Sequence, residues 1–123
     1  MPTLRLAVAL ALAVFATTAA AADHPIRIAI APGKVAEVCM PLVEGDTLRW
    51  RFNASAALDF NLHHHVDKEV LMPVDRKAVK ADQAELRIDR VNEWCLMWTA
   101  PVGSKRVSVD GAWAKLPAKP PTQ

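Results

Sequence analysis

Leu58-Asp-Phe-Asn-Leu-His-His-His65 is the stretch on which the reading of this chain turns. Apolar and polar residues alternate through it, and successive side chains of a β-strand point to opposite faces. Leu58, Phe60, Leu62 and His64 are therefore expected on one face, the inner one, and Asp59, Asn61, His63 and His65 on the other. The outer row then carries two imidazoles at i and i+2, about 6.5–7 Å apart along the strand. Such a pair can chelate a transition metal.

The same alternation recurs on both sides of this stretch. No window sustains the i, i+3, i+4, i+7 apolar pattern of a helix. Strands are expected over 26–30, 35–42, 47–52, 58–65, 69–74, 84–89, 94–98 and 105–109, the last extending toward Trp113. Pro41 marks the second as an edge or bulged strand. Trp94-Cys-Leu-Met-Trp98 is apolar on both faces, as a central strand would be. Asp67-Lys68 reads as a hairpin turn, and residues 75–83, polar and basic, as a loop or one irregular helical turn. Seven or eight short strands at near-regular spacing predict an all-β fold, an antiparallel β-sandwich.

The ends point to export. Residues 1–22 read as a signal peptide: Arg5 is the basic start, residues 6–15 are the apolar run, and Ala20-Ala21-Ala22 is an A-x-A-type cleavage signal. That run is shorter than the roughly 20 residues needed to cross a bilayer, so no membrane span is expected after cleavage. Residues 23–114 form the expected domain and 115–123 a proline-rich tail. Arg5 is the only charge in 1–22, so cleavage lowers the net charge from +2 to +1. A near-neutral chain without a basic stripe argues against nucleic acid or an anionic membrane as partner. The expected location is periplasmic or secreted.

Two cysteines in a small exported domain predict a disulfide between Cys39 and Cys95. Closing the loop from 39 to 95 contributes about 4 kcal/mol in the chain-entropy model. Metal-binding or redox thiols are the alternative, without the C-x-x-C spacing that would favour it.

Cys39, the Glu44-Gly45-Asp46 turn, Leu48-Arg-Trp-Arg-Phe52 and Trp94-Cys95-Leu-Met-Trp98 occur in an order that resembles the GOLD-type (p24-like) β-sandwich domain, over about residues 35–100. Phe60-Asn-Leu-His63-His-His65 and Cys95-Leu-Met-Trp-Thr99 are similar to segments of small exported bacterial proteins of that layout. The resemblance implies the fold. It does not carry over cargo-receptor function, because residues 101–123 do not read as the membrane-spanning helix and coiled coil of the eukaryotic members.

His63 and His65 are the expected metal ligands, with Met72, brought back by the hairpin, or Met97 completing the set. Neutral imidazole suits copper, zinc, nickel or cobalt, and thioether sulfur prefers Cu(I), so a His/Met mixture in an oxidising compartment points to copper. The competing reading makes His63 and His65 ordinary polar residues on a solvated face and the methionines core filler, with no metal bound. His64 is expected in the core, held by a hydrogen bond. His24 would chelate copper only if cleavage left it second in the mature chain. Ser55, Ser104 and Ser108 lack a nucleophile-elbow context, and no H-E-x-x-H or phosphate-cradling loop occurs, so catalysis is not expected. The rival function is a metal-free interaction module using a sheet edge or an exposed tryptophan, with Trp113 the first candidate.

Overall fold

The computed structural model describes residues 2, 8–15 and 21–118. Arg5 and residues 16–20 of the expected leader, and the tail from 119 onward, lie outside the described residues. Six antiparallel strands follow: β1 (His24–Ile30), β2 (Val35–Leu42), β3 (Thr47–Val66), β4 (Glu69–Arg87), β5 (Asn92–Thr99) and β6 (Val107–Leu116). They form one sheet in the order β1-β6-β3-β5-β2, with β4 on the other edge of β3. Among the described residues no helix is long and apolar enough to cross a membrane.

The strand count differs from seven or eight because two expected pairs are continuous. Residues 47–52 and 58–65 belong to β3, and 69–74 and 84–87 to β4, which includes the segment read as a loop. The order there comes from pairing. Asp75, Arg76 and Val79 lie opposite Asn61, Phe60 and Leu58, and the Ala78 amide donates to Asp59 Oδ1 at 3.0 Å. β4 pairs with β3 alone, so it presents polar side chains to water while its backbone stays in the ladder. Likewise β6 runs to Leu116, past the expected start of the tail, because Leu116 pairs with Thr47.

β3 bends in its middle. Register shifts against β4 fall between Asn53 and Leu58 and between Leu58 and Phe60, where bulges sharpen local twist. On its opposite edge β3 changes partner, pairing with β6 up to Ala54 and with β5 from Asp59. Phe52 and Phe60 would stand about 26 Å apart on a straight strand, yet their ring centroids are 4.8 Å apart. The sheet is therefore curled, with its core inside the bend. Trp98 packs edge-on against Phe52 at 5.7 Å and tilted against Phe60 at 5.6 Å, and Ile26, Leu48, Trp50, Leu62 and Leu96 are buried around them.

Candidate metal centre

The inner face of Leu58–His64 is as the alternation demands: Leu58, Phe60, Leu62 and His64 are all buried. His64 stacks on Trp94 with ring centroids 3.8 Å apart. The Asn92 amide donates to its Nδ1 at 3.3 Å and to the His65 carbonyl at 2.7 Å. An amide nitrogen can only donate, so Nδ1 accepts and the ring proton sits on Nε2.

The outer face is built from three strands. Asn61, Met97 and Glu37 form one cross-strand row over β3, β5 and β2, and His63, Cys95 and Cys39 form the next. Cys39 and Cys95 are joined by a disulfide with Cα atoms 4.1 Å apart. His63 and His65 share this face, their ring centroids 5.4 Å apart. The two rings are not equivalent. His63 is buried, whereas His65, beyond the last residue of β3 that β5 pairs, is exposed.

Both nitrogens of His63 are engaged. Nδ1 lies 2.7 Å from Asn61 Oδ1, an oxygen that can only accept, so the proton is on Nδ1. Nε2 lies 3.5 Å from Glu37 Oε1. A neutral ring would thus turn its lone pair toward a carboxylate, an arrangement that calls for a cation, proton or metal, between them. Burial pushes the His63 pKa down and disfavours the proton; the Glu37 carboxylate opposes that shift and His65 assists it. An imidazole whose Nδ1–H is held by an oxygen, leaving the Nε2 lone pair for a cation, is the usual preparation of a metal-ligating histidine.

The structure brings His63, His65 and Met97 to one face, and Met72 lies across from His63 on β4. His64 pairs with Leu71 and Leu62 with Val74, so a single residue, His63, spans both Met72 and Pro73 of β4. In that bulge Met72 is half-exposed and borders a shallow cavity with His64, Leu71, Pro73 and Trp94. His24 stacks on Trp113 at 4.1 Å, which leaves Trp113 half-buried. The sequence reading missed Glu37. Its signal was available: Glu37 and Cys39 share a face of β2, and a Cys39–Cys95 pairing sets the register that carries Glu37 to Met97. Among the described residues, the one group of three His, Cys, Asp or Glu side chains close enough to share an ion is Glu37, Cys39 and Cys95, with donor atoms within 4.8 Å of one another.

No protein-family model matches this chain, and no curated protein matches it significantly. The reading of the site therefore rests on its own geometry.

His63 and His64 also set an acid limit on stability. Burial is the larger cause in lowering both pKa values, with Arg90 adding to it at His64. Below the ordinary histidine range, near 6.5, the unfolded chain takes up protons that the folded chain resists, so stability falls as pH falls. The metal-free protein is expected to show a lower urea midpoint at about pH 5 than at about pH 7.5. His64→Phe, which keeps a ring on Trp94 but cannot titrate, should flatten that dependence. Equal midpoints for the wild type at the two pH values would refute it.

Proposed function

We propose that this chain is a small exported protein that binds or sequesters a transition metal, copper first, through His63 and His65 with Met97 and Glu37 beside them. The observation that carries the reading is the His63 ring, with Nδ1 held by Asn61 at 2.7 Å and Nε2 aimed at Glu37 at 3.5 Å. His63 is the fixed ligand, ordered by burial, and the exposed His65 closes on the ion from the solvent side. Glu37 adds a hard oxygen suited to Cu(II) or Zn(II), and the Met97 thioether a soft donor suited to Cu(I). Met72, across from His63 on β4, is the other thioether candidate. Zinc is the alternative ion, and binding rather than catalysis is the task.

The disulfide supports an oxidising compartment, periplasmic or extracellular. The GOLD-type β-sandwich belongs to the same reading, supported by the bend that folds Phe52 onto Phe60.

The test is titration of the oxidised protein with Cu(I), Cu(II) and Zn(II). His63→Ala/His65→Ala is expected to weaken copper binding by about 100-fold or more, nearly 3 kcal/mol. Glu37→Gln should weaken Cu(II) more than Cu(I), and Met97→Leu the reverse. Wild-type affinity in the double variant would discard the site. No binding by the wild type would return the chain to the metal-free interaction module.

A further inference from the structure

The same face holds a second donor set that the disulfide conceals. Glu37, Cys39 and Cys95 place their donor atoms within 4.8 Å of one another. His63 is the cross-strand neighbour of Cys95 on the side away from Cys39, and its Nε2 is 3.5 Å from the Glu37 carboxylate. Two sulfurs and one carboxylate oxygen thus converge, and one imidazole nitrogen, outside that 4.8 Å group, stands against the same carboxylate, within reach of an ion there by a small ring movement. We infer that reduction of the Cys39–Cys95 disulfide opens a four-donor site for zinc or a similar divalent metal, formed by both thiolates, His63 and Glu37. The inference shares His63 and Glu37 with the proposed copper site but concerns the reduced chain, so either can fail alone.

The chemistry suits a tetrahedral ion. Structural zinc takes two thiolates readily, and His and carboxylate complete such sets at about 2.0–2.3 Å. Two sulfurs on one tetrahedral zinc stand about 3.8 Å apart. Directly opposed side chains with Cβ atoms about 4.5–5.5 Å apart span that distance without backbone movement. The backbone register of β2 on β5 from Val35 to Leu42 sets the cysteines face to face whenever β2 is seated, and an ion held by both thiolates would keep that edge strand seated after the sulfur bond is cut. Asn61 orients His63 in either redox state.

Access is one-sided. Cys39 is exposed and Cys95 buried, so an incoming thiolate meets the Cys39 sulfur. A dithiol reductant attacks there, forming a mixed disulfide and expelling the Cys95 thiolate. Its second thiol then attacks the mixed disulfide and releases Cys39. The reductant leaves as a disulfide, having supplied two electrons and two protons. A divalent ion binding to the two protein thiols displaces two protons. Oxidation by any disulfide of higher potential reverses the sequence and ejects the ion.

Zinc and cobalt are the probes, because Cu(II) would itself oxidise the thiols. The phosphine-reduced wild type is expected to bind one Zn(II) at least about 100-fold more tightly than the oxidised protein, in keeping with thiolate sites. Co(II) should give the thiolate charge-transfer band and the strong visible bands of tetrahedral coordination. Reduced His63→Gln should bind Zn(II) at least about tenfold more weakly than reduced wild type. Because an unfolded dithiol can also hold zinc, melting is measured with and without the ion. An ion bound to the folded state raises the melting temperature. If the reduced chain is unfolded without metal, Zn(II) should restore strand circular dichroism in the wild type and not in His63→Gln. Equal Zn(II) affinity in the two redox states, equal affinity of reduced His63→Gln and wild type, or zinc binding that leaves melting and folding unchanged would each overturn the inference.

Discussion

Gly111→Ala is expected to cost at least about 4 kcal/mol, enough to leave little folded protein in a domain of ordinary stability. Gly111 lies in β6 with β1 on one side and β3 on the other, opposite Ile26 and Phe52. A Cβ built there meets the Arg51 carbonyl oxygen inside contact distance, with Phe52 Cα at 2.7 Å and Arg51 C at 2.9 Å. All three are backbone atoms of β3, so no rotamer change relieves the clash. The two strands must part, and with them the hydrogen bonds that hold β1 and β6 to the rest of the sheet. Overpacking by a side chain into side chains costs about 1–3 kcal/mol, and a clash into a central ladder exceeds that. Gly103→Ala is the control. Nothing lies within 4 Å of its Cβ, so only the penalty of its left-handed backbone, about 1–2 kcal/mol, should appear. Urea unfolding followed by tryptophan fluorescence compares the two. A Gly111→Ala midpoint no lower than that of Gly103→Ala would show that the strands separate cheaply.

The residues that were readable from sequence are those whose neighbours in the chain determine their environment. Alternation placed Leu58, Phe60, Leu62 and His64 inward, Asp67-Lys68 at a turn and Met97 on the face of Cys95. The two cysteines, read together with an expected leader, gave the disulfide. What was not readable depends on a distant strand. Residues 75–83 carry too little apolar character to look like a strand, and become one because β3 offers its whole length as a partner. Asn53-Ala-Ser55 reads as a break between two strands, whereas it lies at the bend of one continuous strand. Met72 lies across from His63 on the hairpin, but it shares that place with Pro73 in a register shift that has no sequence signature. His63 is buried and His65 exposed because β5 stops pairing with β3 between them, a boundary set by where β5 begins, at Asn92. Glu37 reaches His63 through two strand pairings, neither local.

Cys39→Ala/Cys95→Ala is expected to lower stability by about 4 kcal/mol, the loop-closure value for so long a loop, and to lower the melting temperature by on the order of 20 °C. The fold makes the loss uneven. β2 lies at an edge of the sheet and pairs with β5 alone. The disulfide sits at the middle of that pairing, between Val38–Leu96 and Met40–Trp94. Without it, β2 can detach while the β3–β4 hairpin and β6 remain paired. Hydrogen exchange should therefore accelerate first at the amides of β2, with β3 least affected. The same loss reaches the candidate metal centre. Glu37 is on β2 and His63 on β3, so their 3.5 Å approach persists only while the edge strand stays seated. In the disulfide-free variant, Cu(II) affinity should drop toward that of Glu37→Gln even though His63, His65 and Met97 are untouched. Full Cu(II) affinity alongside fast β2 exchange would mean that Glu37 is no ligand and that the histidines act without the edge strand. A stability loss under about 1 kcal/mol would mean that the β2–β5 ladder holds the edge without its sulfur staple.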